Sequence, residues 1–155
     1  MTRLTAYLAV FLAAATPWLE VLFVVPAGLL AGLGPVPTVV IAAAGNVATL
    51  IPVVLLGGRL RGWLDRRRER RNRGAGRAAR VMERYGLPGL AVLGPLVTGA
   101  HLAALVATGS GAGPRRTLAW MTAGVVAWSV AVGVLTVLGI DAFGARDVLP
   151  DLAGS

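Results

Sequence analysis

The chain has 155 residues, 56% of them hydrophobic and 14% charged, with a mean hydropathy of +0.74. Its apolar residues fall in long unbroken runs, which exclude a soluble globular protein and define an integral membrane protein of one small domain. The net charge is +8; with no cysteine and a single histidine, disulfides, thiolate metal sites and histidine clusters are excluded.

Met1-Thr2-Arg3 and the apolar run that ends in Ala13-Ala14-Ala15 have the features of a secretory signal. The chain stays apolar for about forty residues beyond Ala15, so residues 1–15 are read as mature protein, with a short helix over 4–15. The first apolar block runs over about residues 4–32 and is interrupted by Pro17, Pro26 and Gly28, so it cannot form one straight helix. Glu20 stands alone in it, the one charge between Leu4 and Gly58. A carboxylate in a bilayer costs several kcal/mol unless protonated, paired or hydrated, which makes Glu20 a candidate proton or substrate site. The alternative is a carboxylate at the headgroup level that caps a hairpin helix.

After Gly32-Leu33-Gly34-Pro35, a cleaner block over 37–58 has the length of a spanning helix. Asn46 is its one amide; it must find partners in lipid, either a neighbouring helix or an opened hairpin backbone and substrate. Eleven of the fifteen arginines then fall between Arg59 and Arg84, which puts this connector in the cytoplasm. Flanked by apolar runs and poor in aromatics, it suits anionic lipid headgroups, through Arg66, Arg67, Arg68, Arg70 and Arg71, better than nucleic acid. The segment 64–85 is expected to be partly helical along the membrane surface, with a break at Gly74-Ala75-Gly76.

The third block, 86–109, holds Pro88, Gly89, Gly94, Pro95 and Gly99, and Thr98 and His101 are its strong polar groups before Thr108. An imidazole exchanges a proton near neutral pH, so His101 could relay protons with Glu20 if the hairpins meet; a neutral histidine bonded to a freed carbonyl is the structural alternative. Residues 110–114 form a second short break, and a fourth block spans 117–139 before a tail with Asp141, Asp147 and Asp151.

Both halves thus read as an interrupted block, a short break and a cleaner block, a weak internal repeat. If the third block dips in and returns, Arg115 and Arg116 stay in the cytoplasm, and by the same rule the first block enters from the opposite face. The expected fold is therefore an all-α integral membrane protein: an inverted repeat of a re-entrant helical hairpin plus a transmembrane helix, with the basic cytoplasmic segment between halves. The parts are 1–58, 59–85, 86–139 and a tail, 140–155. Re-entrant backbone is tolerated where it lines protein or water, and broken helices meeting at the midplane build transporter sites. Four or five simple helices kinked at proline are the alternative.

No Ser/His/Asp set, paired carboxylates, phosphate loop or metal cluster is present, so neither an enzyme nor a cofactor is expected. Glu20 followed by Pro26-Ala27-Gly28, the pair Gly45-Asn46, Arg84-Tyr85-Gly86 and the run Gly94-Pro95-Leu96-Val97-Thr98-Gly99-Ala100-His101 carry a resemblance. Over roughly residues 15–140 the chain resembles the small multidrug export protein family and, distantly, the DedA family. The family's Thr-Gly-Ala motif has a further proline and an aromatic where this chain has Val97 and His101. Glu20 matches the first acidic position of the DedA hairpins, whereas the second acid and its arginines are absent here.

The resemblance implies opposed re-entrant hairpins and transport in a bacterial plasma membrane. Its site would comprise Glu20, Pro26, Gly28, Asn46, Pro95, Thr98, Gly99 and His101. The expected function is proton-coupled export of small amphipathic or cationic compounds, with lipids, protons, substrate and a second copy of the chain as partners. A DedA-type lipid scramblase or carrier and a membrane assembly factor without substrate are the alternatives.

Overall fold

The computed structural model describes residues 2–17, 19–64 and 73–142, and the side chains among them except at 58–64 and 73–76. The described residues form six helices and no strand: α1 (Arg3–Ala14), α2 (Val21–Leu30), α3 (Pro35–Leu64), α4 (Arg73–Val97), α5 (Ala100–Gly109) and α6 (Pro114–Ala142). In lipid every backbone N–H and C=O has to be satisfied within the chain, and a helix does this locally. Pro35–Gly57 and Pro114–Ala142 are long and apolar enough to cross a membrane; α1, α2 and α5 are shorter apolar helices.

The first block parts after Ala14, where α1 ends, and α2 starts at Val21, upstream of Pro26, which lies inside α2. The carbonyls of Phe11 and Ala13 accept from the N–H groups of Ala15 and Thr16, and the Thr16 hydroxyl donates back to the Leu12 carbonyl at 3.0 Å. The third block breaks at Thr98-Gly99, where Gly99 has φ 88, so that Pro95 sits within α4 just before the break. The expected interruption at Gly74-Ala75-Gly76 is not found. α4 begins at Arg73, and its kink is at Gly86, with φ 65 and ψ −159. Glycine lowers helix propensity but ends a helix only where the backbone is driven out of it.

Two turns share one construction. At the end of α2 the N–H of Gly32 bonds the Leu29 carbonyl (3.0 Å) and the N–H of Leu33 bonds Gly28 (3.1 Å). At the end of α5 the N–H of Gly111 bonds Thr108 (3.1 Å) and that of Ala112 bonds Ala107 (3.1 Å). This is the paired bonding of a Schellman stop, which needs a left-handed residue after the cap, here Gly32 (φ 77) and Gly111 (φ 94). Pro35 and Pro114 then open α3 and α6, where a missing N–H costs nothing. The weak repeat of the sequence is thereby placed in register: each residue of α2 and α3 has a counterpart 79 positions later, so Gly34 pairs with Gly113, Thr38 with Thr117 and Gly45 with Gly124.

The chain forms two compact units, residues 1–46 with 126–155, and residues 47–125. Both long helices contribute to both units, and their division falls at Asn46 in α3 and at Val125 in α6, which are counterparts in the repeat. In the first unit α1 packs on α2, and a Cβ at Gly45 of α3 would run into the Phe11 carbonyl oxygen of α1. In the second unit α4 packs on α5, and a Cβ at Gly124 of α6 would run into the Ala91 carbonyl oxygen of α4. Such close backbone approach is how helices associate where no hydrophobic effect drives them together.

The distribution of side chains is that of a membrane protein. Large apolar groups such as Leu4, Phe23, Val36 and Leu135 are exposed, whereas the interior is rich in alanine and contains Glu20, Thr38, Asn46, His101, Thr108, Thr117 and Ser129. Lipid solvates the first set, and the second set needs protein or trapped water.

Candidate functional site

Glu20 is the residue at which α2 starts. Its backbone (φ −38, ψ 169) is outside the helix, while its carbonyl accepts from the N–H groups of Phe23 (3.0 Å) and Val24 (3.2 Å). Its side chain makes no capping bond to the helix, so the expectation of a capping carboxylate is not met. The residue is only 5% exposed, which also separates it from a carboxylate spread over headgroups. A helix start presents backbone donors with no partner in the helix and a partial positive charge, and both favour an anion.

Asn46 is fully buried at the middle of α3. Gly28 is a packing position: a Cβ there would stand 2.7 Å from Thr38 Cγ2 and 3.4 Å from Val10 Cγ2. Pro26 lies within α2, two residues before it. Glu20, Pro26, Gly28 and Asn46 belong to the first unit.

Pro95, Thr98, Gly99 and His101 belong to the second unit, around the α4–α5 break. The Thr98 hydroxyl spans 3.4 Å to the Gly99 carbonyl, a long bond across the break itself. His101 is the second residue of α5, 7% exposed, and its Nε2 lies 2.9 Å from Thr49 Oγ1 of α3. The other charged residues of this unit whose side chains are described, Arg77, Arg80, Glu83, Arg84, Arg115 and Arg116, are exposed.

Sequence reasoning did not single out Thr49 as the partner of His101. One turn beyond Asn46 on the same helix, it could have been found as the second polar side chain at i, i+3 in an apolar segment. Thr38 and Thr117, both fully buried, were also passed over. The Thr38 hydroxyl donates to the Gly34 carbonyl at 2.7 Å, whereas Thr117 Oγ1 has no partner among the described residues. Arg66, Arg67, Arg68, Arg70 and Arg71 lie outside the described residues. Among the described residues no three His, Cys, Asp or Glu side chains gather to hold a metal ion.

The ionisable groups buried in the apolar helices thus stand at the starts of the two short helices, Glu20 opening α2 and His101 in the first turn of α5. An all-helical membrane protein with buried ionisable groups at helix breaks is the class that fold and site define. The chain belongs to the family described as "Putative small multi-drug export protein", whose model matches residues 20–131, from Glu20 into α6. No curated protein and no solved structure matches it.

Proposed function

We propose that this protein is a proton-coupled exporter of small amphipathic or cationic compounds, in which the Glu20 carboxylate alternately holds a proton and a cationic substrate. The observation that carries this reading is the burial of Glu20 at the start of a helix of only ten residues. A carboxylate withdrawn from water must be compensated, and a proton and an organic cation are alternative ways of doing so. Exchange of one for the other couples export to the proton gradient.

The lengths of α2 and α5, ten residues each, support re-entrance: at about 1.5 Å per residue each covers about 15 Å, half of a hydrocarbon core of about 30 Å. Charge supports opposed insertion of the two repeats. Arg115 and Arg116 occupy the first turn of α6, and their counterparts at the start of α3 are Val36 and Pro37. The α5–α6 turn and the basic connector then face the cytoplasm, and the α2–α3 turn faces outward. His101, held by Thr49, is the second proton-exchanging group.

The test is Glu20→Gln, which keeps the shape and removes the charge. With protein reconstituted in vesicles and ethidium as the probe, the parent should accumulate ethidium when a pH difference is imposed, and the variant should not, at equal incorporation. Equal accumulation by both would make Glu20 a structural residue and end this mechanism.

A further inference from the structure

The part of α4 before its kink is built differently from every other described segment. Arg77, Arg80 and Arg84, spaced i, i+3 and i+7, fall within an arc of about 60° at 100° per residue. All three are exposed, whereas Ala78, off this stripe, is 1% exposed, and Val81 and Met82 are half-buried. The helix is therefore amphipathic, with one face against the protein and a cationic face turned away from it.

Two features fix where that face lies along the chain. The Arg84 guanidinium stands 5.5 Å from the centre of the Tyr85 ring, a cation–π distance, and Tyr85 is 54% exposed. Gly86 then breaks the helix, and the chain continues at once into the apolar stretch Leu87–Val97. A tyrosine with an arginine on its ring, at the entry to an apolar segment, is the composition of a membrane–water interface. One acid, Glu83, borders the stripe, so its three arginines leave it a net positive charge.

We infer that Arg77, Arg80 and Arg84, with Tyr85 as their platform, form a docking face for the phosphate headgroups of anionic phospholipid. Guanidinium forks match phosphate oxygens, and the apolar half of the same helix keeps them at headgroup depth. The occupant is lipid rather than dissolved phosphate because the stripe ends at Arg84, with only Tyr85 and Gly86 between it and the apolar stretch that begins at Leu87. This face does not depend on the export reading, and its test involves no transport.

The full-length protein is reconstituted in nanodiscs of mixed phosphatidylglycerol and phosphatidylcholine, and the lipids that stay bound after extraction are counted by native mass spectrometry. The parent should retain phosphatidylglycerol preferentially, and the preference should fall as salt rises. Each arginine near an anionic surface is worth about a fivefold preference, so R77Q/R80Q/R84Q should lose about a hundredfold. The lysine triple variant, which keeps the charge, should stay near the parent. Tyr85→Leu should lose about two- to fivefold. Circular dichroism shows whether the variants keep their helix. An undiminished preference in a folded glutamine variant, equal loss in R115Q/R116Q, or displacement of the lipid by millimolar inorganic phosphate would each overturn the assignment.

Discussion

The two repeats share their scaffold and differ in their chemistry. Gly32, Gly34, Pro35, Thr38 and Gly45 return as Gly111, Gly113, Pro114, Thr117 and Gly124, and with them return the Schellman stop, the proline start and the close backbone crossing. Glu20, by contrast, has Gly99 as its counterpart, His101 has Leu22, Asn46 has Val125, and Arg115-Arg116 have Val36-Pro37. Backbone geometry allows few solutions and so is kept twice. Polar groups within lipid are costly, and these stand in one repeat and not in the other. A repeat that is symmetric in structure can thus carry a carboxylate in one half and an imidazole in the other.

The hardest way to break this comparison is at the crossings. Gly45→Ala and Gly124→Ala each place a methyl against a backbone carbonyl that cannot swing aside. Both should cost about 3 kcal/mol, the upper end of overpacking, read as a fall in thermal midpoint in detergent. If only one is sensitive, the two crossings are not equivalent.

Gly28→Ala comes next. Its methyl would meet Thr38 Cγ2 at 2.7 Å and should cost about 1–2 kcal/mol. Gly28→Ala combined with Thr38→Ser removes the obstructing methyl and should recover most of the loss. The counterpart of Gly28 is Ala107, where a methyl already stands, so the two repeats differ at this position.

At the turns, Gly32→Ala and Gly111→Ala should each cost about 1 kcal/mol, since a Cβ is disfavoured at positive φ. No atom lies within 4 Å of a Cβ at Gly32, so there the cost is that of the backbone alone. The smallest effect sharpens the comparison most. Thr38→Val removes a made bond and should cost about 1 kcal/mol, whereas Thr117→Val removes a buried hydroxyl without a partner among the described residues and should be neutral or stabilising. Equal losses in the same melting measurement would show that the two threonines are alike after all.

Much of this was legible in the residues. Apolar runs announce helices because lipid leaves the backbone no other partner, and Gly32 to Pro35 and Ser110 to Pro114 announce turns because glycine and proline restrict the backbone locally. Glu20 announces itself by being charged where charge is expensive. The short helix over 4–15 was legible too, since α1 runs over Arg3–Ala14, but the break inside the third block was not placed in the same way. A proline inside a helix need not end it, so Pro26 is carried within α2 and Pro95 within α4, while the third block parts at Thr98-Gly99. The kink at Gly86 rather than at Gly74 to Gly76 has the same cause, since several glycines permit a departure and packing selects one.

What the sequence by itself determined, then, is that the apolar runs are helical, that turns fall at Gly32 to Pro35 and Ser110 to Pro114, and which residue is most costly to bury, all of which follow from interactions within a few residues along the chain. Only the tertiary structure decided that Thr49 meets His101, that Gly45 and Gly124 admit a neighbouring backbone, and that α3 and α6 each divide between two units at Asn46 and Val125. A uniform apolar helix carries no local mark of which neighbour it faces, because lipid and protein interior solvate alanine, valine and leucine about equally well. Which side chains come together is set by the fit of surfaces distant in sequence.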